Sequence, residues 1–323
     1  MLVPRYVSCC FVLAYALSVG ACGATQATTT PPDTTGTDDF TNRIAWSSTA
    51  AGTAEIFSML ADGTDVVNET NNAAADITPA FSNTGGRLAF ASDRSGHMQI
   101  YVQGPLGDRL TRLTNSATAD YSPSWSSDDS KIVFTREVTP GHTQIFVMNK
   151  DGSGQVNISN TANNDIQPSW QPGGNKIVFA SDRDAKFGVN TYLEVYTMNP
   201  NGGAVTRLTF NDNGIDYFPA WSPDGRTIAF SSDRSTNVVG YLGALDIYTM
   251  TEDGLNQTNI TKNGRGDVAP SFSPDGRSIV FMSDRDSPSL YAWDLYIAPA
   301  TVSSTPVIRL TRSGKERTPV WHH

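Results

Sequence analysis

The sequence predicts an all-β fold, a six-bladed β-propeller of four-stranded antiparallel blades, and three observations predict it. A phrase of one acidic residue, two variable residues, Pro, a small residue and an aromatic or apolar residue begins at Asp76, Asp120, Asp165, Asp216, Asp267 and Glu316. After each of the first five phrases a tight turn leads into an apolar strand, beginning at Leu88, Ile132, Ile177, Ile228 and Ile279, and an orphan copy begins at Ile44. These strand starts lie 44 to 51 residues apart, a period that short strands and turns fill in a propeller.

The chain divides into 1–21, a signal peptide; 22–41, a tether; and 42–323, the propeller. Arg5 precedes an apolar run from Val7 to Val19 that is too short for a stable bilayer span. The run ends in Val19-Gly20-Ala21-Cys22, which resembles the lipobox of bacterial lipoproteins and implies cleavage before a lipidated Cys22; an ordinary signal cut near Ala21 is the alternative. Gly23 follows, which favours the periplasmic face of the outer membrane as destination. The next stretch, with Thr28-Thr29-Thr30-Pro31-Pro32, lacks the apolar groups of a core.

Cys9 and Cys10 leave with the signal, so the propeller has no cysteine for a disulfide, a thiol nucleophile or a zinc-thiolate site. The formal charge of −9 disfavours nucleic acid and anionic lipid surfaces as partners, because both reward basic proteins.

Residues 216 to 261 show how one repeat folds. Tyr217-Phe218-Pro219-Ala220-Trp221 is the inner strand, and Ser222-Pro223-Asp224-Gly225 is a turn suited to Pro and Gly. The second strand is Thr227–Ser231, the third Asp246–Met250, and after Glu252-Asp253-Gly254 the outer strand is Asn259–Thr261. Because the chain begins on a second strand and ends on an inner one, its N-terminal strands are expected to pair with Pro319-Val320-Trp321 and close the ring as a monomer.

Trp125, Trp170, Trp221 and Trp321, with Phe81 and Phe272, end the inner strands at constant register. Packing between blades explains such a series better than carbohydrate stacking. The Ser-Asp-Arg series at Asp93-Arg94, Asp182-Arg183, Asp233-Arg234 and Asp284-Arg285 reads as turn capping, and the repeat with Thr135-Arg136-Glu137 departs from it.

Asp76, Asp120, Asp165, Asp216, Asp267 and Glu316 precede the inner strands, so they are expected to ring one mouth of the channel. Like charges about 10 Å apart repel by roughly 0.4 kcal/mol in water. The ring therefore needs either local caps or a cationic guest: a divalent ion, Lys/Arg side chains or a basic peptide segment. Loops 184–194, 235–246 and 286–294 on the same side carry Phe187, Tyr192, Tyr241, Leu242, Tyr291 and Trp293, which serve as recognition anchors or fold down to fill gaps.

Catalytic signals are thin. His97, His142, His322 and His323 stand in no repeated context, no Gly-x-Ser-x-Gly elbow occurs, and Asp151-Gly152 and Asp253-Gly254 read as hairpin turns rather than calcium loops.

The repeats closely resemble the TolB-type propeller family. The resemblance rests on Pro-Ala-Trp-Ser-Pro-Asp-Gly-Arg at 219–226, Ile-Ala-Phe-Ser-Ser-Asp-Arg at 228–234, Gln-Ile-Phe-Val-Met-Asn-Lys-Asp-Gly at 144–152, and Arg-Leu-Thr at 207–209 and 309–311. It covers roughly residues 42 to 323, where the N-terminal α/β domain of TolB itself has no counterpart. The resemblance specifies the fold rather than the function, because such repeats serve in scaffolds, in peptidase accessory domains and in some lyases. The expected function is a lipid-anchored envelope propeller, non-catalytic, that binds a protein or peptide through its acidic channel mouth and long loops, without a cofactor. A metal-dependent lyase or lactonase with a divalent ion in the channel is the alternative.

Overall fold

Six four-stranded antiparallel sheets stand around one axis in a computed structural model that describes residues 39–184, 192–211, 214–235 and 245–322. Numbering blades by their second strands, blade 1 holds Arg43–Ser48, Glu55–Leu60 and Val67–Asn68, with Glu316–Trp321 as its inner strand. The inner strands of blades 2 to 6 are Asp76–Phe81, Asp120–Trp125, Asp165–Trp170, Asp216–Trp221 and Asp267–Phe272. Each is followed in sheet order by the second, third and outer strand of its own repeat. The expected closure is present: Ile44 pairs with Trp321, Ala45 with Val320, Ser47 with Arg317 and Ser48 with Glu316.

The inner strand is not the plain strand that its pattern suggests. In all six blades the residue before Pro has positive φ: Thr78, Ser122, Gln167, Phe218, Ala269 and Thr318, between 45° and 55°. The ladder breaks at the same place, for example between Ile77 and Ala80 and between Tyr217 and Ala220. Proline has no N–H to give to a ladder, so the chain bulges around it. The signal was visible, since Pro inside a strand argues for a bulge.

The cores lie between blades. The second and third strands bury rows such as Ile228, Phe230, Ile247 and Met250, whereas every outer strand is a two-residue stub, a length that discourages edge pairing with other chains. The aromatic residues that end the inner strands are buried and reach back one blade. Trp125 Nε1 donates to Ala80 O and Trp221 Nε1 to Ser169 O, both at 3.2 Å. The turns before the outer strands press equally close. A Cβ built on Gly202, where φ is +84°, would lie 2.1 Å from Ile158 O of the preceding blade.

Alternating strand direction gives the disc two unlike faces. One carries the short turns that follow the inner and third strands. The other, the loop face, carries the connections between second and third strands and those between blades. Phe40 enters on the turn face, its N–H bonded to Gly85 O at 2.8 Å and its ring 5.2 Å from Phe81.

Candidate interaction face

The six acidic residues open the inner strands at the loop face, and every one of them is buried. Register decides their neighbours. Asp76 pairs with Ser92, Asp165 with Ser181, Asp216 with Ser232 and Asp267 with Ser283, so the Arg two residues beyond each Ser turns back over the carboxylate. Arg94 Nη2 lies 3.0 Å from both oxygens of Asp76, Arg183 Nη2 2.8 Å from Asp165, and Arg285 Nη2 2.9 Å from both oxygens of Asp267. Arg234 closes on Asp216 in the same way. In blade 3 the Arg stands directly opposite its acid, and Arg136 binds Asp120 at 2.6 and 2.7 Å. The apparent exception in sequence therefore makes the same pair from two strand positions earlier.

Each guanidinium also covers two rings. Arg183 stands 5.0 Å from the centroids of Phe179 and Tyr196, and Arg285 5.1 Å from those of Phe281 and Tyr296, a cation–π seat. A second donor comes from the preceding loop: Asn72 to Asp76 at 2.5 Å, Ser116 to Asp120 at 3.2 Å, Thr161 to Asp165 at 2.9 Å and Ser313 to Glu316 at 2.6 Å. Blade 1 alone has Ala50 in the Arg position, with Trp46 stacked on Phe57 at 5.8 Å.

The expected negative rim is thereby corrected. Five of the six carboxylates face an internal guanidinium and all six are withdrawn from solvent, so none calls for a basic segment. Burial pushes Asp216 up to about 7 against the pull of Arg234, and Asp267 up to about 6 against Arg285. Burial likewise raises Glu316.

The central channel is uncharged as well. A cavity of about 200 Å³ there is lined by the inner-strand Pro, Ser, Thr and Trp residues with Gln167 and Phe218, and no ionisable side chain of the described residues reaches it. Among the described residues no group of three His, Cys, Asp or Glu could hold a metal.

The loop aromatics separate. Trp293 is 1% exposed and belongs to the core, because it stands immediately before the third strand of blade 6. Tyr192 is half-buried and Tyr291 is 42% exposed. Phe187, Tyr241, Leu242 and Cys22 lie outside the described residues. Sequence reasoning missed Phe210, which is 70% exposed beneath Arg207, 4.7 Å away, on the connection from blade 4 to blade 5. Its signal was an aromatic where the corresponding residues after other outer strands are polar, Asn115, Asn160, Lys262 and Arg312. Leu290, beside Tyr291, is exposed too.

Comparison with known proteins agrees with this architecture. A family model described as the TolB beta propeller domain matches residues 23–140. A TolB homolog from Chlorobium luteolum is 29% identical over 140 residues, 32% of each chain. Over residues 23–140 the chain matches the TolB-type propeller family, and its blades share that architecture. The TolB structure from Acinetobacter baumannii superposes with a TM-score of 0.70 at 21% identity, covering 88% of this propeller chain and 67% of that one. A chain of a nidogen/laminin complex superposes at 0.67 with 10% identity, covering 87% of this chain and 98% of that one. At these identities the superpositions speak for fold alone. The aligned stretches span a third or less of the curated relatives they match.

Proposed function

We propose that this TolB-type propeller is a lipid-anchored protein of the bacterial envelope that binds a protein partner on its loop face and performs no chemistry. The observation that carries the reading is the exposure of Phe210, Leu290 and Tyr291 on one face while the carboxylates beneath are buried and hydrogen-bonded. Large exposed aromatics on loops held by a rigid frame suit recognition, and buried, satisfied acids do not suit proton transfer. A structural neighbour comes from a complex named for two proteins, which fits a propeller used as a docking platform.

Photo-crosslinking in cells tests this. A crosslinker at Phe210 should yield a discrete protein adduct, and one at Asp275 on the turn face should not; adducts only at Asp275, or at neither position, overturn the reading. Labelled palmitate should enter the chain and be lost from Cys22→Ser.

A further inference from the structure

Four cations without an ion pair among the described residues stand on one arc of the loop face. Lys262 and Arg265 stand on the connection from blade 5 to blade 6, and Arg312 and Lys315 on the connection from blade 6 to blade 1. Among the described residues none of these four makes an ion pair. Nearby arginines are committed instead, Arg207 to Glu194, Arg285 to Asp267 and Arg309 to Asp294. The acids of the arc are withdrawn, since Asp267, Asp284, Asp294 and Glu316 are all buried. Its exposed carboxylate, Asp286, accepts the Tyr296 hydroxyl at 2.9 Å.

The two connections meet through the loop of blade 6. Gly266 N–H donates to Asp284 Oδ1 at 3.1 Å, and Asp284 Oδ2 accepts from Tyr291 N–H at 3.2 Å. Tyr291 O accepts Arg317 Nη2 at 3.4 Å, and Trp293 bridges to Lys315. Tyr291 thus sits between the two pairs of cations. It has φ +64°, a left-handed conformation that a non-glycine residue keeps only where its surroundings impose it. Its ring lies 6.3 Å from that of buried Trp293 and remains 42% exposed. A fixed exposed aromatic among unpaired cations is preorganised for binding.

Resting on the function proposed above, we infer that this arc takes an acidic segment of the protein partner, with an apolar or aromatic side chain of that segment set against Tyr291. The cations supply charge complementarity, and the net charge of −9 repels long polyanions such as nucleic acid or an anionic bilayer, so a short segment suits the arc better.

Selection of displayed dodecapeptides on the mature full chain tests the inference. Enriched peptides should be rich in Asp and Glu with one aromatic or large aliphatic residue. Their binding should fall about tenfold in Lys262→Glu/Arg312→Glu, a variant expected to melt like the parent, and should weaken with added salt. Tyr291→Ser should weaken it without changing the salt dependence. Neutral or basic winners, no enrichment, indifference to charge reversal, or tighter binding to phosphatidylglycerol vesicles than to the peptides would each overturn it. Crosslinking from Phe210 together with failure here would leave the loop face as the docking surface and remove only the acidic partner; failure of both removes the docking reading itself.

Discussion

Arg183 donates from Nη2 to Asp165 Oδ1 at 2.8 Å while its guanidinium lies 5.0 Å above both Phe179 and Tyr196. One side chain thereby joins the inner strand, the second and the third of a blade, and four other blades repeat the device. Asp165 is wholly buried and Arg183 is 15% exposed, so removing one partner leaves a charge with little solvent to receive it. Arg183→Ala should cost about 3 kcal/mol or more. The pair Asp165→Asn/Arg183→Ala should cost less than the sum of the single changes, a non-additivity that urea titrations of the four proteins would measure.

The blade count, the strand order and the closing pair were legible because a period of 44 to 51 residues leaves room for one hairpin pair and little else. The fate of the acids was not. A carboxylate before a strand reads alike whether open or sealed, and Asp165 and Arg183 are 18 residues apart. Only the register, Asp165 opposite Ser181, brings them together, and the length of the intervening turn fixes that register. Tyr291 and Trp293 show the same limit at shorter range. Two residues apart on one loop, one is exposed and the other is core, since the strand that begins at Asp294 pins only the second.

Close approach between blades makes a prediction about glycine. Gly202 and Gly52 both have positive φ, +84° and +120°, yet a Cβ on Gly52 would meet nothing within 4 Å. Gly202→Ala combines backbone strain with a clash against Ile158 O and should cost about 2 to 4 kcal/mol, whereas Gly52→Ala should cost about 1. Thermal unfolding of the two variants would show the difference, and equal losses would refute the interblade contact.

Acid should loosen the junction of the chain ends. Burial holds the imidazole of His322 below its ordinary range, where it lies 5.6 Å from the ring of Phe81, edge to face. The unfolded chain takes up this proton near about pH 6.5, before the folded chain does. Stability is then full above that pH, declines as pH falls below it, and levels once the folded form is protonated as well. Asp216 and Asp267, raised to about 7 and about 6, act in the opposite sense over the same range in both proteins, so the His322 contribution is read as a difference: from pH 8 to 5 the urea midpoint of the parent should lose ground relative to that of His322→Gln.

The closing blade is also the least satisfied one. Its acid is Glu316 without an arginine, and Trp46 Nε1, Trp321 Nε1 and His322 Nε2 are buried with no hydrogen-bond partner among the described residues. Its inner strand nevertheless holds the whole ring, because Ile44, Ala45, Ser47 and Ser48 have no other neighbour on that side. Blade 1 should therefore exchange its amide protons before blades 2 to 6, as a local opening with a cost below that of global unfolding. Deleting residues 316–323 should make that opening permanent, exposing the second strands's edge of blade 1 and the inner face of blade 6. The expected outcome is a broad, low melting transition with rapid proteolysis within 39–68, and a truncated chain that melts sharply at the parent temperature would show that the ring does not depend on this seam.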